Sequence, residues 1–165
     1  MTKITSPTSP SDSKRTLHKA TAKEIPAIKA MIDSAYSKYI ERIGKQPAPM
    51  TQDWDEVILT HEVLILRDNE RIVGSITFRE DKQTNSLKID NVVVDPKVQS
   101  RGYGSYMIQY AEMEGQKQGM SSVRLFTNVK MFENLGYYPK LGFTETERRV
   151  EDGFERVYFC KKLGE

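Results

Sequence analysis

The stretch Asn91-Val92-Val93-Val94-Asp95-Pro96-Lys97-Val98-Gln99-Ser100-Arg101-Gly102-Tyr103-Gly104-Ser105 constrains the fold more than any other part of the chain. Its uninterrupted β-branched run predicts a strand buried on both faces, because apolar–polar alternation disappears where both sides of a sheet are covered. Pro96 stops that strand, and Gly102 and Gly104 open a helix. A helix start presents unpaired N–H donors and the positive end of the peptide dipole, and glycines let a bulky group approach the backbone. Strand, basic loop and glycine-entered helix together form a seat for phosphate, to which Arg101 adds a fork-shaped cation and Gln99 a neutral donor.

Thr21-Ala22-Lys23-Glu24 has the form of a capping box, and apolar residues recur at helical spacing from Ile25 to Ile43 with Gly44 as the stop. Pro26 delays the helix beyond the box. Residues 51–60 predict a second helix carrying Trp54, Val57 and Ile58. Strands are predicted over Thr16 to Lys19, Glu62 to Leu66, Ile72 to Phe78, Leu87 to Val94, Ser121 to Thr127, Phe143 to Arg149 and Phe154 to Lys161, with further helices from Gly104 to Gly119 and Met131 to Leu141. Residues 87–127 read as strand, helix, strand. Such crossovers are right-handed, so the two strands run parallel with the phosphate seat at the carboxyl end of the first. Hairpins on either side give an α+β fold with a mixed sheet.

A length of 165 residues suits one domain over 15–165, behind a tail at 1–14 that is poor in apolar residues and reads as disordered. No apolar run approaches the roughly 18 residues a spanning helix needs, so no membrane role is expected. A net charge of +2 gives no global attraction to nucleic acid. A single cysteine, Cys160, and two histidines, His18 and His61, leave no internal disulfide and suggest no metal site; a reducing, cytoplasmic setting is the simplest reading.

That element order, with Gln99-x-x-Gly102-x-Gly104 after Val94-Asp95-Pro96 and Tyr138-Pro139-Lys140-Leu141-Gly142-Phe143 near the end, resembles the GNAT superfamily of N-acetyltransferases over about residues 15 to 163. The segment from Tyr39 to Met50, and Phe126-Thr127-Asn128 with Glu133-Asn134, look like a bacterial subgroup of uncharacterised members, so the resemblance supplies the donor and the reaction but no acceptor. It implies a GNAT-like, mostly antiparallel, twisted seven-stranded sheet flanked by about four helices, with a splayed central parallel pair. It also implies acetyl-CoA as co-substrate, no metal, and direct acetyl transfer to a primary amine of a small molecule or protein. The backbone of Val92, Val93 and Val94 would pair with the pantetheine arm, while Gln99, Arg101, Gly102, Tyr103, Gly104 and Ser105 would hold the diphosphate. Tyr138 stands where the family keeps its general acid, and a phenol with a reference pKa of about 10 stays protonated at neutral pH. Where relatives carry a coenzyme-binding asparagine this chain has Met131; Asn134, on nearly the same helix face, takes over the contact. Dimers are frequent in the family, so the last hairpin or an edge strand would supply a homodimer contact.

An amine attacks a thioester only when unprotonated, so the site needs a base or a water relay. Asp90 on the central strand is the first candidate, with His61 and Glu80 behind it, although Asp90 also reads as an ordinary solvated strand residue. A backbone N–H of Val93 or Val94 would meet the oxyanion. Acceptor contacts are expected from Tyr39, Arg42 and Trp54 around Pro47 and Pro49, with Arg42 meeting either a substrate carboxylate or a surface neighbour. The competing reading is a non-catalytic acetyl-CoA or coenzyme A sensor module, against which Tyr138 argues. A generic nucleotide-binding domain is poorly supported, because the Gly-Lys-Ser/Thr ending of a P-loop is absent.

Overall fold

The computed structural model describes residues 3–5 and 14–164. Strands β1 (Lys3–Thr5), β2 (Arg15–Lys19), β3 (Glu62–Asp68), β4 (Arg71–Asp81), β5 (Ser86–Val94), β6 (Ser122–Asn128), β7 (Thr144–Glu151) and β8 (Phe154–Lys162) form one sheet in the order β1-β2-β3-β4-β5-β6-β8-β7. Every neighbouring pair is antiparallel except the central β5 and β6. The sheet is mixed, as the apolar patterns predict, and mostly antiparallel, as the resemblance implied, and all seven expected strands are present. The eighth is β1, which lies inside the segment read as a tail; the remainder of that segment up to residue 13 is outside the described residues.

Among the described residues five α-helices flank the sheet: α1 (Ile25–Tyr36), α2 (Lys38–Ile43), α3 (Trp54–Thr60), α4 (Tyr103–Lys117) and α5 (Phe132–Lys140). The capping box at Thr21 forms as expected, and Pro26 falls in the first turn of α1, where its missing N–H costs nothing. The single helix predicted from Ile25 to Ile43 is divided at Ser37. There the ladder passes from Ser37 N–H on the Asp33 carbonyl to Ile40 N–H on the Ser37 carbonyl, a switch to three-residue spacing. Gly44, at φ 92°, ends α2.

Two apolar layers hold the sheet. Leu64, Leu66, Ile76, Leu87 and Ile89 pack against Met107, Ile108 and Ala111 of α4 on one face, and Val63, Ile65 and Val93 pack against Ile28, Ile32, Trp54 and Val57 of α1 and α3 on the other. The change of phase along β5 has a local cause: Phe78 pairs with Ile89 and Thr77 with Asn91, so Asp90 is one residue too many. This β-bulge turns Val92 and Val94, instead of Val93, toward the α4 layer and adds local twist. Just past it the parallel pairing ends. β5 meets β6 only over Ser86–Ile89 against Ser122–Leu125, whereas β6 stays paired with β8 as far as Asn128. The sheet therefore opens between the last residues of β5 and β6, as the resemblance implied.

Away from this opening, the Glu24 carboxylate contacts His18 Nε2 at 2.9 Å, Arg67 Nη2 at 3.2 Å and the Thr21 N–H at 2.9 Å. Burial alone would push this carboxyl up, but the bonds from His18, Thr21 and Arg67 outweigh it and hold its pKa below the usual value of 4.5. A depressed folded-state pKa stabilises the fold above the unfolded value and loses that contribution as pH falls through the folded one. Glu24→Gln is therefore expected to cost about 1–3 kcal/mol at pH 7, a deficit that shrinks below about pH 4. Urea melts of both proteins across pH check it, and a pH-independent difference would refute the ionic origin.

Candidate active site

The amides of β5 face two ways. Asp95 N–H bonds the Val73 carbonyl of β4 at 2.8 Å, and Val93 lies opposite Ser75, so alternation commits Val93 to β4. Val92 and Val94 then direct their N–H groups into the opening, on the side where the Val92 carbonyl accepts Tyr36 Oη at 3.2 Å. The sequence offered Val93 or Val94 as oxyanion donor; the ladder leaves Val94, with Val92 beside it.

Beyond β5 the loop adopts positive φ at Ser100 (67°) and at Gly102 (81°), the N-cap of α4. The first helical acceptor bond is Tyr106 N–H to the Gly102 carbonyl at 3.0 Å, so the N–H groups of Tyr103, Gly104 and Ser105 have no partner inside the helix. A left-handed turn running into a helix start is an anion-binding concavity. Close approach is built in at Gly104, where a Cβ would stand 3.2 Å from Tyr137 Oη.

These groups line a cleft of about 470 Å³ that gathers Val92, Val93, Val94, Gln99, Gly102, Tyr103, Gly104, Ser105, Asn134, Tyr138 and Tyr39. Nearly the whole expected coenzyme set therefore meets on one surface. Arg101 does not line it; its carbonyl accepts Arg15 Nη2 at 3.2 Å and its side chain reaches toward the Tyr103 hydroxyl. Tyr103 is itself buried, with its hydroxyl on Asp68. Asn134 lines the cleft but donates to Thr127 Oγ1 at 3.0 Å.

Tyr138, on α5, packs edge-on against Phe143 and beside Phe159. Burial, with the nearby phenols Tyr36, Tyr137 and Tyr39, pushes its hydroxyl well above the ordinary phenol value. Burial likewise raises Tyr36 to about 12. Tyr36, Val92, Asn134 and Tyr138 also wall a second, smaller cavity of about 70 Å³ on the β6–β8 side, with Pro47, Pro49, Asp90, Asn91, Phe126, Phe154 and Arg156. The two spaces meet at Tyr138.

Asp90, at the bulge, is among the residues that line this smaller cavity, and its Oδ2 lies 3.0 Å from His61 Nε2 and 3.6 Å from Arg79 Nε. His61 and Glu80 line a different hollow, beside Lys19 and Met120, so they stand behind Asp90 and not beside Tyr138. Arg42 is drawn away: its Nη1 bonds Glu133 at 2.8 Å and the Lys130 carbonyl at 3.0 Å, tying α2 to α5. Trp54 is 4% exposed in the α1 layer and lines neither cavity, because its apolar ring serves the core. Among the lining residues that went unassigned in the sequence are Tyr36, Tyr137 and Arg156. Tyr36 had a signal, since it lies one helical turn from Tyr39.

A family model described as the acetyltransferase (GNAT) family matches residues 28–143. No curated protein matches by sequence. Among solved structures, the ribosomal-protein-S18-alanine N-acetyltransferase from Escherichia coli superposes with a TM-score of 0.68 at 16% identity, covering 92% of this chain and 95% of its own. A GNAT family acetyltransferase from Elizabethkingia anophelis with acetyl-CoA bound gives 0.68 at 19% identity, covering 90% of this chain and 98% of its own. The PaiA N-acetyltransferase from Thermoplasma acidophilum in complex with coenzyme A gives 0.71 at 13% identity, covering 91% and 99%. With the family match spanning most of the chain and the splayed sheet that carries it now described, this protein is a member of the GNAT acetyltransferase family.

Proposed function

We propose that the chain moves the acetyl group of acetyl-CoA directly to a primary amine, with Tyr138 as general acid and Asp90 as the base. The observation that carries this reading is the meeting of the two cavities at Tyr138, beside the free N–H groups of the splayed strand. Two of the structural relatives bind acetyl-CoA or coenzyme A, which supports the choice of donor. The residues fit that molecule. The α4 tip offers N–H donors to a diphosphate, Gly104 keeps that approach open, and the unpaired amides of β5 suit an amide-containing arm.

Acetyl-CoA supplies an activated acyl thioester. The amine must lose a proton before it attacks, and Asp90 takes it, directly or through one water, with His61 and Arg79 holding the carboxylate in place. Val94 N–H, with Val92 beside it, meets the negative charge that develops on the acetyl oxygen. Tyr138 gives its proton to the departing sulfur. Its raised pKa keeps the phenol protonated until that moment. No covalent bond to the enzyme forms, so Cys160 has no part.

Thiol release measured over a panel of primary amines tests the proposal. Amine-dependent production of free coenzyme A is expected. Tight coenzyme binding with no turnover on any amine would instead favour a sensor module.

A further inference from the structure

Resting on the reading above, we propose that the acceptor is an α-amino acid or a close zwitterionic relative, its amine toward Asp90 and its carboxylate toward Arg156. The smaller cavity is lined by Asp90 of β5, which borders the opening, and by Arg156 of β8, one strand beyond its other border β6. Arg156 is only 6% exposed, so its guanidinium is desolvated where it lines the cavity. Its side chain lies on the same face as Phe126, because Asn128 pairs with Arg156 and Phe126 with Tyr158. The guanidinium sits 4.2 Å over the Phe126 ring and 5.7 Å from that of Phe154, which fixes its plane.

Its ion pairs are one-sided. Glu151 Oε1 at 2.8 Å and Asp152 Oδ2 at 3.3 Å both engage Nη1; Glu151 ends β7, Asp152 lies in the turn after it, and the Tyr158 hydroxyl also hydrogen-bonds the guanidinium. The two acidic side chains are 39% and 78% exposed, so the pairing ties the arginine to the cavity's outer rim. Guanidinium has five N–H donors in a fork that matches a carboxylate. A ligand carboxylate can therefore bind this residue without displacing the turn. Pro47, Pro49, Phe126 and Phe154 supply apolar walls for a short side chain, and about 70 Å³ limits the acceptor to one of few heavy atoms. Of the two readings the sequence left open for Arg42, the surface pairing is the one found, with Glu133, and the carboxylate contact thus falls to Arg156.

The test compares initial rates with saturating acetyl-CoA on L-alanine and L-2-aminobutyrate, their amides, and the decarboxylated amines ethylamine and propylamine. In the unmodified protein kcat/KM is expected to favour the free amino acids by about 10²-fold, because the amides and amines forgo a charge-assisted contact to a buried guanidinium. Arg156→Gln should reduce that preference to within about threefold, and Arg156→Lys should keep part of it, since the charge survives and the fork does not. Melting temperatures and the KM for acetyl-CoA show whether either variant merely loses its fold, and the acceptor series on the unmodified protein decides the matter even if both do. Equal or better turnover of the amides and amines, or a preference that survives in Arg156→Gln, overturns this inference alone. Absence of thiol release with every acceptor overturns the acetyltransferase reading and this one with it.

Discussion

Gly104→Asp is expected to abolish acetyl-CoA binding, raising Kd by at least about 100-fold, while leaving the free chain as stable as before or slightly more so. Gly104 is the second residue of α4, among the free N–H groups that face the cleft. A Cβ there would already stand 3.2 Å from Tyr137 Oη, and a carboxylate beyond it would occupy the phosphate seat with like charge. The same carboxylate suits a helix N-terminus, where it gains about 0.3–1 kcal/mol from the dipole. Fold and binding are thus pushed in opposite directions. Calorimetry with acetyl-CoA and a thermal melt without it separate the two, and unchanged affinity would refute the seat. Gly104→Ala asks less, since only the end of the Tyr137 side chain must give way, and its loss of affinity should be smaller.

Tyr138→Phe is expected to lower kcat by about 10²-fold or more with the KM for acetyl-CoA changed by less than about threefold. The ring remains to pack against Phe143 and Phe159, so only the proton donor is lost. The coenzyme seat lies mainly on β5 and α4, which the substitution leaves alone. A fall in kcat below about threefold, roughly 0.6 kcal/mol of barrier, would end the general-acid role. Because burial holds the phenol above its ordinary range, the unmodified protein should show no loss of rate from this group up to about pH 10.

The stretch from Val92 to Ser105 was legible because its physics is local. A β-branched run, a proline and two glycines fix strand, turn and helix start with little help from the rest of the chain, and Gly102 duly takes φ 81°. The acceptor side was less legible because it is assembled from residues far apart in sequence. Arg156 reads as an outward position on an alternating strand, yet the segment around Pro47 and Pro49 shares its cavity and hides it. Trp54 near two prolines suggested a pocket, whereas its three-residue spacing from Val57 marked a core helix face. The bulge at Asp90 has no sequence signature, since a single surplus residue shows only when the neighbouring strand is known.

The opening beside β5 leaves two rungs of a ladder unbuilt in the interior of a sheet, at Val92 and Val94. Backbone amides seldom remain unmatched so far inside a protein, and whatever ligand pairs with them finishes the architecture as well as entering it. Cohesion at the heart of the molecule then rises and falls with the concentration of that ligand, so a starved molecule is more loosely knit than a supplied one.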